Sequence, residues 1–269
     1  METLPTSENT PPIDKITNTV KSYTIYLKEN YFYQSLILII VGLFFISLSV
    51  TLRIVSPLYL LLIIGILVFR HFYKQLGHII LLQFAKNNGF AYQKKGILSQ
   101  IETPFLKIGR DQRIEDIVSG QFKDLPFCLF NYNSILGSGS EEKRIGFTVC
   151  RIQHQVKLPR IFLNAKHPSF NPVILRKDQV EIQMEGDFHK YFRLYVTKEY
   201  EIEALQIFTP DVMAKLIDKS KRFSLEFMND HVYIYSNSPV VQKNELDAII
   251  LLAQMLIEEL APTLARLKK

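Results

Sequence analysis

Two long hydrophobic runs dominate the first third of the chain. They cover residues 33–52 and 54–72, and Arg53 separates them. A helix rises about 1.5 Å per residue and the hydrocarbon core of a bilayer is about 30 Å thick, so about twenty apolar residues span it. The pattern therefore predicts two transmembrane helices. Because their connection is short, they are predicted to form an antiparallel hairpin over residues 31–73.

The positions of Lys and Arg predict which side of the membrane the ends of the hairpin face. Six basic residues lie before the first run or at and beyond the end of the second, namely Lys15, Lys21, Lys28, Arg70, Lys74 and Lys86. The connection has Arg53 alone, so both termini and the soluble domain of this multi-pass protein are predicted to be cytoplasmic. Two alternatives remain: a hairpin buried in a soluble core, and a single span followed by a buried helix.

The segments on either side of the hairpin differ in pattern. Residues 1–30 begin with a polar, proline-containing stretch and are predicted to be disordered or to form a short helix. Residues 74–89 keep the helical spacing of apolar positions and end on Asn87, Asn88 and Gly89, a typical helix end. They are predicted to form a helical stalk that continues the second span into the soluble domain.

Residues 90–269 have the pattern of a soluble domain in which strands come first and helices later. The predicted elements are a hairpin at 121–153 around a loop rich in Gly and Ser, a hairpin at 179–197, short helices at 201–220, a hairpin at 223–236 that turns at Asn229, and a long amphipathic helix at 243–267. This order predicts an α+β domain with a mostly antiparallel sheet, closed by a C-terminal amphipathic helix.

The charge of the chain excludes one class of partner. Its net charge is +6, and the basic residues form no concentrated stripe, so nucleic acid is not a predicted partner. The predicted partners are the lipid bilayer and either another protein or a second copy of the chain.

Cys128 and Cys150 lie at equal distances along the chain from Gly139. In a hairpin centred on Gly139 they would face each other, either as a redox pair or as two small buried apolar side chains. A cytoplasmic domain favours reduced thiols. The glycines and serines of 137–140 do not form a phosphate-binding loop, because two glutamates follow where the motif requires Gly-Lys.

None of the six histidines has the spacing of a metal site, so no metal or other cofactor is predicted. His71 and His78 are seven residues apart on one helix face near the membrane. Their function is interpreted either as pH sensing or headgroup binding, or as simple solvation at the interface. Glu185 and Asp187, close to His189, are a candidate acid/base group, although Gly-Asp is also typical of a tight turn. No catalytic residue is assigned.

Several runs resemble a group of uncharacterised bacterial membrane proteins. They are FAKNNGFAY, LPFCLFNY, EGDFHKYFRLYV, EIEALQIFTPDVMAKLID, FSLEF and VYIYS. The resemblance covers most of residues 30–260. It implies a paired N-terminal span followed by a cytoplasmic domain of unknown function, and it brings no activity and no functional residue with it.

The leading hypothesis is a membrane-anchored cytoplasmic interaction or scaffolding module. One alternative is a membrane-anchored enzyme with an unrecognised site around Glu185, Asp187 and His189. The other is a small transport or channel subunit. Convergence of the three side chains in one pocket would favour the enzyme.

Overall fold

The computed structural model describes residues 39–44, 46–47, 57–97, 101, 103–107, 109–166, 178–220 and 222–267. The prediction for residues 1–30 and the connection between the two apolar runs therefore lie outside the described residues. In the part of the chain that is described, no helix is both long enough and apolar enough to span a bilayer.

The described parts of the two apolar runs are helical and pack on each other. Residues 39–44 and 46–47 form one helical segment, and helix α1 spans Pro57–Asn88. A Cβ atom added to Gly42 would lie 3.3 Å from Ile64 Cγ2, so the absence of a side chain allows the close approach. Positions 42 and 64 are each eleven residues from Arg53 along the chain.

Helix α1 has two halves with different surroundings. In the first half, Ile63, Ile66 and Leu67 are more than half exposed, at 52%, 57% and 59%. In the second half the apolar residues are buried in the domain core, namely Ile79, Ile80, Leu81, Phe84 and Ala85. The helix ends at Asn88, and Gly89 adopts a left-handed φ of 67°, as predicted for this stop.

Seven strands form one sheet. They are β1 (Ala91–Gly96), β2 (Arg110–Phe122), β3 (Leu125–Leu136), β4 (Lys143–Ala165), β5 (Gln179–Ile182), β6 (Phe192–Thr197) and β7 (Ser224–Tyr235). The order is β1-β2-β3-β4-β6-β5, with β7 also paired to β4, and every pairing is antiparallel. The prediction of an α+β fold with a mostly antiparallel sheet is confirmed.

Strand β4 joins the two halves of the sheet. Its first part, residues 143–152, pairs with β3, and its last part, 161–165, pairs with β6. Strand β7 pairs with β4 from Val149 to Leu163, with irregular register near Leu158. The second strand of the hairpin predicted at 121–153 therefore continues without a break to Ala165.

One turn was missed and one predicted turn was wrong, and the backbone angles explain both. The predicted hairpin at 121–153 has its first strand begin at residue 121, but Lys123 and Asp124 both have positive φ, 48° and 61°, and form the two-residue turn between β2 and β3. Asn229 was taken as a hairpin turn, but it alone has positive φ, 54°, and β7 continues through it. One left-handed residue makes a bulge, whereas two in succession reverse the chain.

The predicted helices at 201–220 and 243–267 are confirmed, and one short helix within the predicted hairpin at 179–197 was not predicted. The helices are α2 (Phe188–Tyr191), α3 (Glu201–Ile207), α4 (Pro210–Ser220) and α5 (Lys243–Leu267). The predicted stripe of α5, from Leu246 to Leu260, is buried against the sheet side that α1 also covers. The opposite side of the sheet carries a second core rich in aromatic rings, with Phe105, Phe147 and Tyr235 in mutual contact.

Candidate functional site

The helix-covered side of the sheet changes from apolar to polar along strands β2, β3 and β4. The paired residues Val118, Leu129 and Cys150 belong to the apolar core. Further along the same strands the paired rows are Glu115, Asn131 and Thr148, then Arg113, Asn133 and Gly146. This end of the sheet side therefore presents charged and amide groups where the other end presents apolar side chains.

Four residues of these rows line a cavity of about 560 Å³, namely Arg113, Glu115, Asn131 and Asn133. Helix α1 contributes Gly77 and His78 to its wall, and the segment before α5 contributes Pro239 and Val241. At Gly77 the helix passes so close to that segment that an added Cβ would lie 2.9 Å from the Val240 carbonyl oxygen. The volume suits a small molecule or one end of a larger one.

His78, Tyr92 and Asp116 meet at one edge of the cavity. The Tyr92 hydroxyl donates a hydrogen bond to Asp116 Oδ1 at 2.7 Å. His78 Nδ1 lies 2.7 Å from the same carboxylate oxygen and 2.7 Å from the Tyr92 hydroxyl oxygen. His78 Nδ1 can donate to Asp116 Oδ1 in one tautomer and accept from the Tyr92 hydroxyl in the other. The three residues link α1, β1 and β2.

The backbone at Asp116 directs its side chain into this group. Asp116 has a φ of 56°, and it lies in an irregular stretch of the β2–β3 pairing between Glu115 and Val118. Its second carboxylate oxygen accepts a hydrogen bond from Asn131 Nδ2 at 3.2 Å. Asn131 Oδ1 in turn accepts from the Thr148 hydroxyl at 2.6 Å. A continuous chain of hydrogen bonds therefore crosses three strands and orders one wall of the cavity.

His78 is thus a half-buried member of a hydrogen-bonded group, and the interpretation as a residue merely solvated at the interface is wrong for it. Its side chain is 22% exposed and that of Asp116 is 13% exposed. The side chain of His71 lies outside the described residues. Asp116 and Tyr92 were missed in the sequence, because polar residues on an alternating strand are ordinarily solvent-facing.

Glu185, Asp187 and His189 do not converge. Glu185 and Asp187 are exposed, and the Asp187 carboxylate forms an ion pair with Lys190 at 2.6 Å. The hydrogen bond from Lys190 lowers the pKa of Asp187, which makes it a poorer proton carrier near neutral pH. His189 lines a second cavity of about 540 Å³, whose lining does not include the two acids.

Cys128 and Cys150 do not face each other. Cys128 pairs with Arg151, and Cys150 pairs with Leu129. This offset of one residue places Cys128 in the aromatic core and Cys150 in the helix-covered core, on opposite sides of the sheet. Both are free and buried, and burial raises the pKa of both thiols. The possible redox pair is therefore excluded by the strand register.

A second polar group lies in the aromatic core, out of contact with solvent. Arg160 Nε donates to Glu226 Oε1 at 2.5 Å, and the Tyr235 hydroxyl donates to Glu226 Oε2 at 2.5 Å. The Thr103 hydroxyl also donates to Oε2, and Arg160 Nη1 donates to Gln179 Oε1 at 3.0 Å. Burial and then the Glu226 charge raise the pKa of Tyr235 well above its usual value. This group ties β4, β5 and β7 together and offers no opening for a ligand.

Within the described ranges, no set of three or more His, Cys, Asp or Glu side chains is placed to hold a metal ion. No family model matches the chain, and no curated protein matches it. Among solved structures, the fold is similar to the crystal structure of the mycobacterial trehalose monomycolate transport factor A. The TM-score is 0.52 and the identity is 13%, with 69% of this chain and 94% of that chain covered. At this identity the likeness shows a shared fold.

Proposed function

We propose that the protein is a membrane-tethered binding module of a transport-related assembly, in which an N-terminal helical hairpin holds the polar cavity next to the membrane surface. The observation that carries this proposal is helix α1. Its first half has exposed apolar side chains and its second half is rooted in the domain core. One rigid element therefore connects the tether to the wall of the cavity.

The tether is supported by the exposed apolar side chains next to the contact between Gly42 and Ile64. Gly42 is buried, but Ile39, Ile40, Leu43 and Phe44 around it are exposed by 57% to 65%. Among the residues that are described here, the small residue at the helix contact is buried and the apolar residues around it are exposed, a pattern typical of helices in lipid. Small residues at the contact are also typical of membrane helix pairs.

The binding role is supported by the ordered polar cavity, and the transport-related role by the fold shared with a protein whose name is that of a transport factor. The positions of Lys and Arg favour a cytoplasmic domain. In this orientation the cavity lies on the inner side of the membrane, where it can receive a lipid or a membrane-bound partner.

Membrane insertion and orientation are tested with one added cysteine at a time, Ser56→Cys or Ser138→Cys. Residue 138 is exposed on the β3–β4 loop. Because Cys128 and Cys150 are buried with raised pKa values, they are expected not to react in the folded chain and can stay in place.

We expect an impermeant maleimide to label position 56 only from outside intact cells, and position 138 only in inverted vesicles. The unmodified chain should be labelled only after denaturation, which is the control. Release of the chain from membranes by alkaline carbonate would contradict the tether. Labelling of position 138 from outside would reverse the orientation and move the binding role to the cell surface.

A further inference from the structure

The cavity has a charge pattern that defines a class of ligand. Its lining includes the cations Arg113 and Arg144 and the carboxylates Asp111, Glu115 and Asp116. Asp116 is already held by His78, Tyr92 and Asn131. The remaining lining therefore has two cations and two carboxylates available to a ligand.

The two arginines are available because no described carboxylate pairs with them. Among the ion pairs between described residues, the neighbouring Arg110 pairs with Glu142, whereas none includes Arg113 or Arg144. Two guanidinium groups without a protein carboxylate are a favourable site for a phosphate, because each offers several donors in a planar fork.

The sheet register sets the distance between the two arginines. Arg113 is paired with Asn133, and Arg144 is paired with Ile135, two positions along the neighbouring strand. They are therefore two strands and two residues apart, or about 12 Å between Cα atoms. Side chains as long as those of arginine can meet from both sides on one phosphate at that separation.

The carboxylates favour a ligand that also carries a positive charge. Glu115 precedes Asp116 on β2 and accepts a hydrogen bond from Asn133 Nδ2 at 3.5 Å, and Asp111 lies nearer the start of that strand. A simple anion would be repelled by these acids. A ligand that joins a phosphate to a primary ammonium group satisfies both signs of charge.

The position of the cavity indicates where such a ligand would come from. His78 is six residues beyond the end of the second predicted span, or about 9 Å along α1. The headgroup layer of a bilayer extends about 5–8 Å beyond the hydrocarbon core. His78 therefore lies just beyond the headgroup layer if the tether is as proposed, and the cavity that it lines is within reach of a lipid headgroup.

We propose that this cavity binds the headgroup of a phosphoethanolamine lipid, with the phosphate between Arg113 and Arg144 and the ammonium group beside Asp111 and Glu115. This inference rests on the proposed function, since the tether brings the cavity to the headgroups. Binding of a single lipid there would position the domain relative to the membrane plane and make a specific lipid part of the assembly.

The absence of tryptophan from the chain allows a clean binding assay. Val241 lines the cavity and is partly exposed, so Val241→Trp gives a single fluorophore at the site. With the full chain in detergent, we expect saturable binding of glycerophosphoethanolamine at least fivefold tighter than that of glycerol phosphate or inorganic phosphate. Equal or tighter binding of inorganic phosphate would overturn the proposal in favour of a free anion.

Variants test separately the binding of the phosphate by the arginines and the binding of the ammonium group by the carboxylates. Arg113→Ala/Arg144→Ala should weaken binding of glycerophosphoethanolamine at least tenfold. Lys157→Ala/Lys198→Ala removes the same charge from exposed positions outside the cavity and should change it less than twofold. Glu115→Gln should remove most of the preference for the ammonium-bearing ligand while keeping the phosphate. Equal losses in both double variants would mean that only overall charge is sensed.

Native mass spectrometry of the chain with Val241 intact provides a readout that does not depend on the fluorophore. The chain is released from nanodiscs of equal parts phosphatidylethanolamine, phosphatidylglycerol and phosphatidylcholine. We expect retained phosphatidylethanolamine to exceed the other two, and the excess to disappear in Arg113→Ala/Arg144→Ala. No excess would overturn the proposal, even if the soluble headgroup binds. Carbonate extraction of the same chain tests the tether independently, so failure of the tether and failure of the lipid site are distinguishable.

Discussion

Two carboxylates of this domain each receive several hydrogen bonds, but they lie in opposite surroundings. Glu226 is fully buried in the aromatic core and is contacted by Arg160, Tyr235 and Thr103. Asp116 borders an open cavity, and its side chain is 13% exposed. The first group has no accessible face, so it stabilises the fold, whereas the second is next to free arginines and space.

The largest expected effect tests the buried half of this comparison. Arg160→Met leaves the Glu226 carboxylate in the core without its cation, which costs about 3–5 kcal/mol of the free energy of unfolding. Urea denaturation of the full chain in detergent, followed by circular dichroism, measures it. Arg113→Met, an exposed arginine on β2, is the matched control and should cost less than about 0.5 kcal/mol.

The double variant Arg160→Met/Glu226→Leu shows whether the cost of Arg160→Met comes from the unpaired Glu226 charge or from lost packing. If the cost of the single variant comes from an uncompensated charge, removing that charge should recover most of the lost stability. A double variant as unstable as Arg160→Met would show that packing around Arg160, including its contact with the Phe162 ring, is the larger contribution.

His154 is a buried ionisable group whose surroundings disfavour its charged form. Burial, and then the neighbouring His231, lowers the pKa of His154 from 6.5 to about 4. Between these values the unfolded chain binds the proton first, so stability falls as the pH is lowered from about 6.5 to 4. The loss from this residue is at most about 3 kcal/mol.

His154→Asn is the variant that isolates this effect. The Asn oxygen can replace His154 Nδ1 as the acceptor for the Val156 backbone N–H, but it does not titrate. We expect the difference in unfolding free energy between the two proteins to change across this pH interval and to stay constant above pH 7. Parallel pH curves for the two proteins would assign the acid sensitivity to other groups.

The sequence predicted local elements well and long-range arrangement poorly. Helix α5 has a strong helical periodicity, and strands β5 and β6 are close together in the chain. The local pattern of apolar positions was therefore sufficient to predict these elements. The continuity of β7 depends on its pairing with β4, some seventy residues earlier in the chain, and Asn229 gives the same local signal in a bulge and in a turn. Whether Cys128 and Cys150 face each other depends on the geometry of the loop between their strands, which here shifts the pairing by one residue.

The cavity could not be predicted for a related reason. Its wall combines α1 at His78, β2 at Arg113, β3 at Asn133, β4 at Arg144 and the segment at Pro239. Each of these residues, taken alone, is an ordinary polar or turn residue. His78 was singled out because it lies near the predicted membrane boundary, but its partners Tyr92 and Asp116 become visible only when three elements pack together.

Asp116 should be less costly to change than Arg160, because its site is open to water. Asp116→Asn keeps an acceptor for Tyr92 and tolerates the left-handed backbone, so a cost of about 1 kcal/mol is expected. Asp116→Ala loses these hydrogen bonds and strains the backbone, for a total of about 2 kcal/mol. Urea denaturation measures both. Equal costs would show that the φ of 56° is not maintained in solution.

The smallest expected effect is that of Arg113→Ala/Arg144→Ala on stability. Both side chains are exposed and have no ion pair among the described residues, so their removal should change the free energy of unfolding by less than about 0.5 kcal/mol. A small relief of repulsion between the two cations could even stabilise the chain. A loss above about 1.5 kcal/mol in the urea experiment would make these arginines part of the fold, as Arg160 is. A neutral result is the one that the ligand-binding proposal requires, because it separates the loss of binding in this double variant from a loss of folding.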